Sequence, residues 1–274
     1  MSGRRYEMAA ALAFAALLGC PASSLAQSFD CIIDPAVTVG VGSAASGLLA
    51  EVLIDRGDVV QKGQEIASLA SDVERTTVQL LTQQAESRAE IEAQRARYDL
   101  VVSRLERTRG LAASNVVPQE KLEETVAEME VVKRELAIAE MRSRIAGLEL
   151  TRAREVLDQR VIRSPINGIV VERLLFEGEF LAQDGKLATI AQIDPLYVEA
   201  FLPVEYYSEM HQGMEVEVQP NKPVEGTYIG KVTVIDRVFD AASSTFGVRV
   251  ELPNPGGLLP AGHRCQLALP AAQD

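Results

Sequence analysis

The sequence has little with which to do chemistry. Its 274 residues include two histidines, His211 and His263, and three cysteines. No nucleophile, base and orienting group stand at a recognisable motif spacing, and no phosphate-cradling glycine loop is present. Met210-His211 with Met214 could be imagined as a copper contact, but a loop before Gly213 reads as plain structure, so no metal and no cofactor are expected. Basic charge is also short: 27 Lys and Arg face 39 Asp and Glu, a net charge of −12. That deficit argues against a nucleic-acid partner, which needs a basic surface. After residue 27 no apolar run approaches the roughly 20 residues needed to cross a bilayer. The chain reads as a non-enzymatic, exported protein.

Export is signalled at the start. Arg4 and Arg5 precede the apolar stretch Met8 to Leu18, and small residues end at Ser24-Leu25-Ala26, the pattern of a cleaved secretory signal over residues 1–26. A second processing site is Leu17-Leu18-Gly19-Cys20, a lipoprotein-like box in which Cys20 would be acylated and become the new terminus. Cut after Ala26, the chain keeps Cys31 and Cys265. In an oxidising compartment such a pair is most simply a disulfide; closing so long a loop could stabilise by roughly 5 kcal/mol on chain-entropy grounds. Two separate buried thiols are the alternative.

What the sequence does have is one statement made twice. Ser46-Gly47-Leu48-Leu49, Gly57-Asp58-Val59-Val60 and Ile66-Ala67-Ser68-Leu69 return, 121 positions on, as Gly168-Ile169-Val170, Gly178-Glu179-Phe180-Leu181 and Leu187-Ala188-Thr189-Ile190. Units of about 25 residues cannot bury a core alone, so the copies must pack on each other. Residues 71–160 must then leave the module and return.

That insert is helical in character. Residues 72–113 and 118–159 contain no proline except Pro118 and are rich in Ala, Leu, Glu, Gln and Arg, the good helix formers. In the second arm Leu122, Val126, Met129, Val132, Leu136, Ala139, Ala146, Leu150 and Leu157 follow steps of three and four, a coiled-coil seam. The first arm carries a weaker seam: Val73, Thr77, Leu80, Ser87, Ile91, Tyr98, Val101 and Leu105, interrupted by Gln84 and Gln94. Between the arms, Arg104, Arg107 and Arg109 crowd the end of one and Glu120, Glu123 and Glu124 the start of the other, as the helix dipole favours. Ser114-Asn115 supply the turn, and Pro118 suits the first helical position. Each arm would reach about 60 Å at 1.5 Å per residue, which makes its tip the natural contact point. From Leu196 onward the pattern becomes short alternating runs with Gly, Pro and Asn punctuation, a small antiparallel barrel.

In this order the chain resembles the periplasmic adaptor, or membrane fusion, proteins of bacterial tripartite efflux pumps and type I secretion systems. The residues that carry the resemblance are Arg163-Ser164-Pro165-Ile166-Asn167-Gly168, Leu196-Tyr197-Val198 with Pro203-Val204-Glu205, Leu252-Pro253-Asn254-Pro255, and Leu259-Pro260-Ala261-Gly262. The resemblance implies an α+β protein, mainly β, with a long antiparallel α-helical coiled-coil hairpin inserted in a split lipoyl-like (barrel-sandwich hybrid) domain, followed by a small antiparallel β-barrel. The expected boundaries are a signal at 1–26, a strand joining the barrel at 27–39, lipoyl-like halves at 40–70 and 161–195, the hairpin at 71–160 and the barrel at 196–274. A true lipoyl carrier presents a lysine where its halves join; here Leu69-Ala70-Ser71-Asp72-Val73-Glu74 has none.

The function implied is a periplasmic adaptor bridging an inner-membrane transporter, of the resistance-nodulation-division or ATP-binding-cassette type, to an outer-membrane channel, with several copies in a ring. A periplasmic regulatory or envelope-binding module, or an adaptor for polysaccharide export, could use the same scaffold. The resemblance assigns docking to the hairpin tip, at Arg107, Leu111, Ser114, Asn115 and Pro118. Family members often carry Arg, Leu four residues on and Ser seven further; Arg107 and Leu111 match, and the third position is Pro118. The end at Asp274 leaves no room for the extra membrane-proximal domain that many pump adaptors append, so the barrel and the mature N-terminus are expected to face the transporter.

Overall fold

A computed structural model describes residues 27–270; the signal at 1–26, and with it Cys20, lies outside the described residues. In chain order the elements are β1 (Ser28–Val41), β2 (Gly47–Val52), β3 (Val59–Val60), β4 (Glu65–Leu69), α1 (Asp72–Glu86), α2 (Ala89–Ala113), α3 (Gln119–Asp158), β5 (Val161–Arg163), β6 (Gly168–Arg173), β7 (Phe180–Leu181), β8 (Ala188–Pro203), β9 (Glu215–Pro220), β10 (Tyr228–Ile235), β11 (Thr245–Leu252) and β12 (His263–Ala268). They form two compact units, to both of which β1 and β8 contribute.

The first unit is the doubled motif folded into one barrel-sandwich hybrid. Each copy is completed by the other. β2 pairs with β7, Leu48 opposite Phe180, and β3 pairs with β6, Val59 opposite Ile169. The offset of the sequence repeat is kept rung by rung. Leu49↔Leu69, Glu51↔Ser68 and Val52↔Ala67 in one half become Val170↔Ile190, Glu172↔Thr189 and Arg173↔Ala188 in the other, with the same register shift at the same place.

The turns match as well. The Asp58 carboxylate accepts from the Asp55 N–H at 2.7 Å, and the Glu179 carboxylate from the Phe176 N–H at 2.8 Å. Gly57 and Gly178 follow, at φ +94° and +84°, where a side chain would be strained. The core interleaves both copies: Leu49, Ile66 and Leu69 from one, with Val170, Leu187 and Ile190 from the other, all buried. This is why neither copy is a stable body alone.

The second unit is a six-stranded β-barrel of β9–β12 with the first part of β1 and the last of β8. Alternation fills its interior, as in Val216 and Val218 of β9 and Val248, Val250 and Leu252 of β11. Tyr207, Phe239 and Phe246 pack edge to face at 4.8 to 5.2 Å. β1 pairs with β12 from Ser28 to Ile33, so the strand expected over 27–39 joins the barrel by its first six residues; from Pro35 the chain belongs to the other unit. Cys31 lies opposite Cys265 in that pairing, and the two are joined by a disulfide spanning 234 residues of sequence.

Candidate functional site

The insert leaves and re-enters the barrel-sandwich unit through one part-buried contact. Arg160, just past α3, donates from Nη2 to Glu74 of α1 at 2.6 Å and from Nη1 to the Ser46 carbonyl at 3.0 Å. Its own carbonyl accepts from the Leu69 N–H at 2.8 Å. One guanidinium thus clamps both helical arms to the first half-module, in the planar, multi-donor role that suits Arg. A single arginine among 27 basic residues gave the sequence no sign of this.

Along the insert, α2 and α3 run antiparallel. Arg104 bonds to Glu128 at 3.2 Å, Arg97 to Glu135 at 2.9 Å and Glu90 to Arg142 at 2.6 Å, one partner stepping back as the other advances. The inner face of α3 is the expected seam, with Val132, Leu136, Ala139 and Leu150 buried. On α2, Val101 and Leu105 are buried as expected.

The first arm departs from expectation. It is two helices, because Ser87 turns extended (φ −67°, ψ 120°) and Arg88 follows outside the helix before α2 begins. Two residues outside the helix break the phase, so the periodicity read through Ile91 and Tyr98 cannot be carried back into α1. Val73 and Leu80 are accordingly exposed, at 76% and 56%, while Glu74, Val78, Leu81 and Ala85, one residue on, turn inward. The slip opens a groove of about 410 Å³ between α1 and α3, lined by Val73, Thr77, Leu81, Ala153 and Val156.

At the tip the turn closes through the Asn115 N–H to Ala112 O and the Val116 N–H to Leu111 O, both 2.9 Å, with Asn115 in the left-handed region at φ 56°. The Ser114 hydroxyl bonds back to Gly110 O at 3.1 Å. Pro118 stands one position earlier than expected: it caps α3 in an extended conformation rather than opening the helix. The arginines also fall short of the dipole, for the last turn of α2 contains no basic residue. Arg104 is spent on Glu128, whereas Arg107 and Arg109 are exposed and make no ion pair among the described residues. Arg107 and Leu111, four apart, share the outer face of α2, and Val116 protrudes at the apex with 65% exposure. The tip therefore presents two apolar side chains beside an unengaged cation.

Elsewhere among the described residues the two histidines stand apart from any constellation for chemistry. His211 is exposed with Nδ1 at 3.5 Å from Glu209 O, and His263 Nε2 lies 2.6 Å from Asn221 O. Among the described residues no cluster of three metal-ligating side chains occurs, and no helix is long and apolar enough to cross a membrane. Ser71 is the residue before α1, at the junction where a carrier would hold its lysine. One buried polar residue was missed as a site. Asn254, quoted above only as part of a motif, donates to Ile193 O at 2.9 Å and Leu259 O at 3.0 Å and accepts from the Leu259 N–H at 2.9 Å.

Comparison with known proteins agrees with this architecture. Residues 37–192 match the CzcB-like barrel-sandwich hybrid domain and residues 195–273 the CusB-like β-barrel domain. The chain is 25% identical over 242 residues to the macrolide export protein MacA of Yersinia pestis, covering 83% of this chain and 63% of that one. It thus spans less than two thirds of that relative. A UPF0194 membrane protein of Yersinia pseudotuberculosis is 26% identical over 232 residues, covering 69% of this chain and 71% of that one. Among solved structures, MacA of Actinobacillus actinomycetemcomitans superposes with a TM-score of 0.74 at 19% identity, over 89% of this chain and 78% of that one. The membrane fusion protein Spr0693 of Streptococcus pneumoniae R6 gives 0.61 at 18% identity, over 90% and 100%. At these identities the superpositions speak for the fold alone.

Proposed function

The chain belongs to the membrane fusion, or periplasmic adaptor, protein family, and from that premise we propose that it is a non-enzymatic adaptor of an efflux or secretion system. It bridges an inner-membrane transporter to an outer-membrane channel from the periplasm. The observation that carries this reading is the tip: an exposed Leu111 and Val116 beside Arg107, which is exposed and makes no ion pair among the described residues, held at the far end of a 40-residue helix. A helix of that length reaches about 60 Å. A disulfide in the barrel unit is in keeping with an oxidising compartment such as the periplasm.

The exposed tip supports a division of labour within this reading. Leu111 supplies the apolar anchor and Arg107 a charged donor, with Ser114, Asn115 and Pro118 holding the turn that sets both in place. The barrel-sandwich units of several copies assemble side by side in a ring, and the barrels face the transporter. Each tip contact is small, and several acting together bind multivalently. A photo-crosslinker at position 111 is expected to capture an outer-membrane channel in intact cells. Arg107→Asp is expected to weaken that capture and transport together; unchanged capture and transport in Arg107→Asp would remove the tip from docking.

A further inference from the structure

The two arms of the hairpin weaken at one level. In the first arm, α1 ends with the Ser87 N–H on Gln83 O at 3.2 Å and α2 begins with the Glu92 N–H on Arg88 O at 2.9 Å, and the helical ladder is interrupted between them. In the second arm α3 runs through without a break, but its single glycine, Gly147, stands near the same height. The pairs Arg104–Glu128, Arg97–Glu135 and Glu90–Arg142 keep one antiparallel register. Carried two residues on, that register sets Arg88 opposite Arg144, which leaves Gly147 less than one turn from the level of the break.

Nothing in the folded structure asks for a glycine there. A Cβ at Gly147 would meet no atom within 4 Å, and its φ is not positive. Glycine inside a helix is less stable than alanine because its backbone is freer. The Thr151 hydroxyl also donates to the Gly147 carbonyl at 3.1 Å, a back-bond of the kind that bends helices. Packing around the level is thin: α1 buries no residue, and Gln94, less than two turns above the break, holds its Oε1 buried without a hydrogen-bond partner among the described residues. Below the break the root is held, since Arg160 bonds to Glu74 and Ser46 O and its own carbonyl accepts from the Leu69 N–H.

We propose that the hairpin bends at this level and not at its root. α1 and the stretch of α3 after Gly147 stay with the barrel-sandwich unit, while α2 and the rest of α3 swing as one piece. That piece is held together by the three ion pairs and by the buried seam of Val132, Leu136 and Ala139. Sharp helix kinks have causes of the kind found here, small residues and side chains bonded into the ladder. From Gly147 to the start of α3 at Gln119 is about 42 Å, so a bend of about 20° carries the tip sideways by about 15 Å. The bend belongs to this chain and does not rest on the adaptor reading; to that reading it adds a tip that follows a partner displaced sideways.

The test places pairs of nitroxide labels on the exported full chain with its native disulfide, diluted in unlabelled chain so that only distances within one molecule are read. One label sits on the exposed Glu51 of β2; the other sits on Glu155, below the break, or on Ala127, about 30 Å above Gly147. Pulsed dipolar spectroscopy should give a narrow distance distribution for Glu51→Cys with Glu155→Cys, and one broadened by about 10 Å for Glu51→Cys with Ala127→Cys. Adding Gly147→Ala should reduce the population away from the main distance about fivefold, as the difference between glycine and alanine in a helix interior implies; circular dichroism should show helicity kept or raised. Gly110→Ala is the control, because its Cβ also meets open space but lies near the tip, and it should leave the distribution as it was. A narrow distribution from Ala127 would overturn the proposal, as would equal breadth from Glu155, which puts the motion at the root. So would a distribution that Gly147→Ala leaves unchanged, or that Gly110→Ala narrows equally.

Discussion

Gly47 and Gly168 occupy equivalent positions in the two copies of the motif, and replacing each by alanine should have unequal consequences. A Cβ at Gly168 would stand 2.2 Å from the Ala191 oxygen and 2.8 Å from its carbonyl carbon. Both are backbone atoms of β8, so β6 and β8 must separate by roughly 1 Å to regain an ordinary contact near 3.5 Å. That disturbs the rungs Ile169↔Ala191 and Val170↔Ile190. Two weakened hydrogen bonds at about 1 kcal/mol each and about 1–3 kcal/mol of overpacking, less about 0.4–1 kcal/mol from stiffening the unfolded chain, give about 3 kcal/mol. A Cβ at Gly47 meets Arg160 Nη1 at 2.9 Å, the far end of a flexible side chain. Losing its bond to Ser46 O costs about 1 kcal/mol, largely offset by the same stiffening. The cause of the asymmetry is where the chain goes next: β8 runs on past Ala191, whereas β4 stops at Leu69 and α1 starts at Asp72. Hydrogen exchange at the amides of β6 and β8 reads the difference, with protection falling about a hundredfold in Gly168→Ala and by less than about fivefold in Gly47→Ala. Equal losses in the two variants, or a larger one at Gly47, would refute the reasoning.

Three further outcomes are expected. Asn254→Ala leaves Ile193 O, Leu259 O and the Leu259 N–H without partners in a buried site, costing about 2–4 kcal/mol; a thermal shift measurement should show the loss, which Asn254→Asp should not repair because a carboxylate cannot donate. Removing the disulfide by Cys31→Ser with Cys265→Ser should destabilise by up to about 5 kcal/mol, with exchange in the barrel-sandwich unit, which contains neither cysteine, remaining as it was. Leu136→Ala in the α3 seam should cost about 2–4 kcal/mol and make the hairpin sensitive to brief proteolysis, measured as the rate of the first cut within residues 89–158.

Much of the architecture was legible because it repeats or alternates. The offset between copies predicted that the halves pack together, and the structure carries that offset through to the strand rungs, since side chains that must share one core inherit one register. The α3 seam was read correctly for the same reason: an unbroken helix keeps its phase over 40 residues. α1 was misread because Ser87 is an unremarkable residue in a helical context, and its extended backbone, with the phase slip it causes, leaves no periodic mark. Pro118 and the tip arginines were misplaced by about one turn or less, the usual uncertainty of helix ends.

The sequence alone determined the order of elements, the pairing of the half-modules, the inner seam of α3 and the candidate disulfide, because burial patterns and cysteine chemistry are written in residue type. Only the tertiary structure decided that Arg160 clamps the hairpin root, that Asn254 is a buried hydrogen-bonding centre and that equivalent glycines have unequal surroundings. Those facts depend on which atoms from distant parts of the chain come within a few ångströms, and residue type does not specify distance.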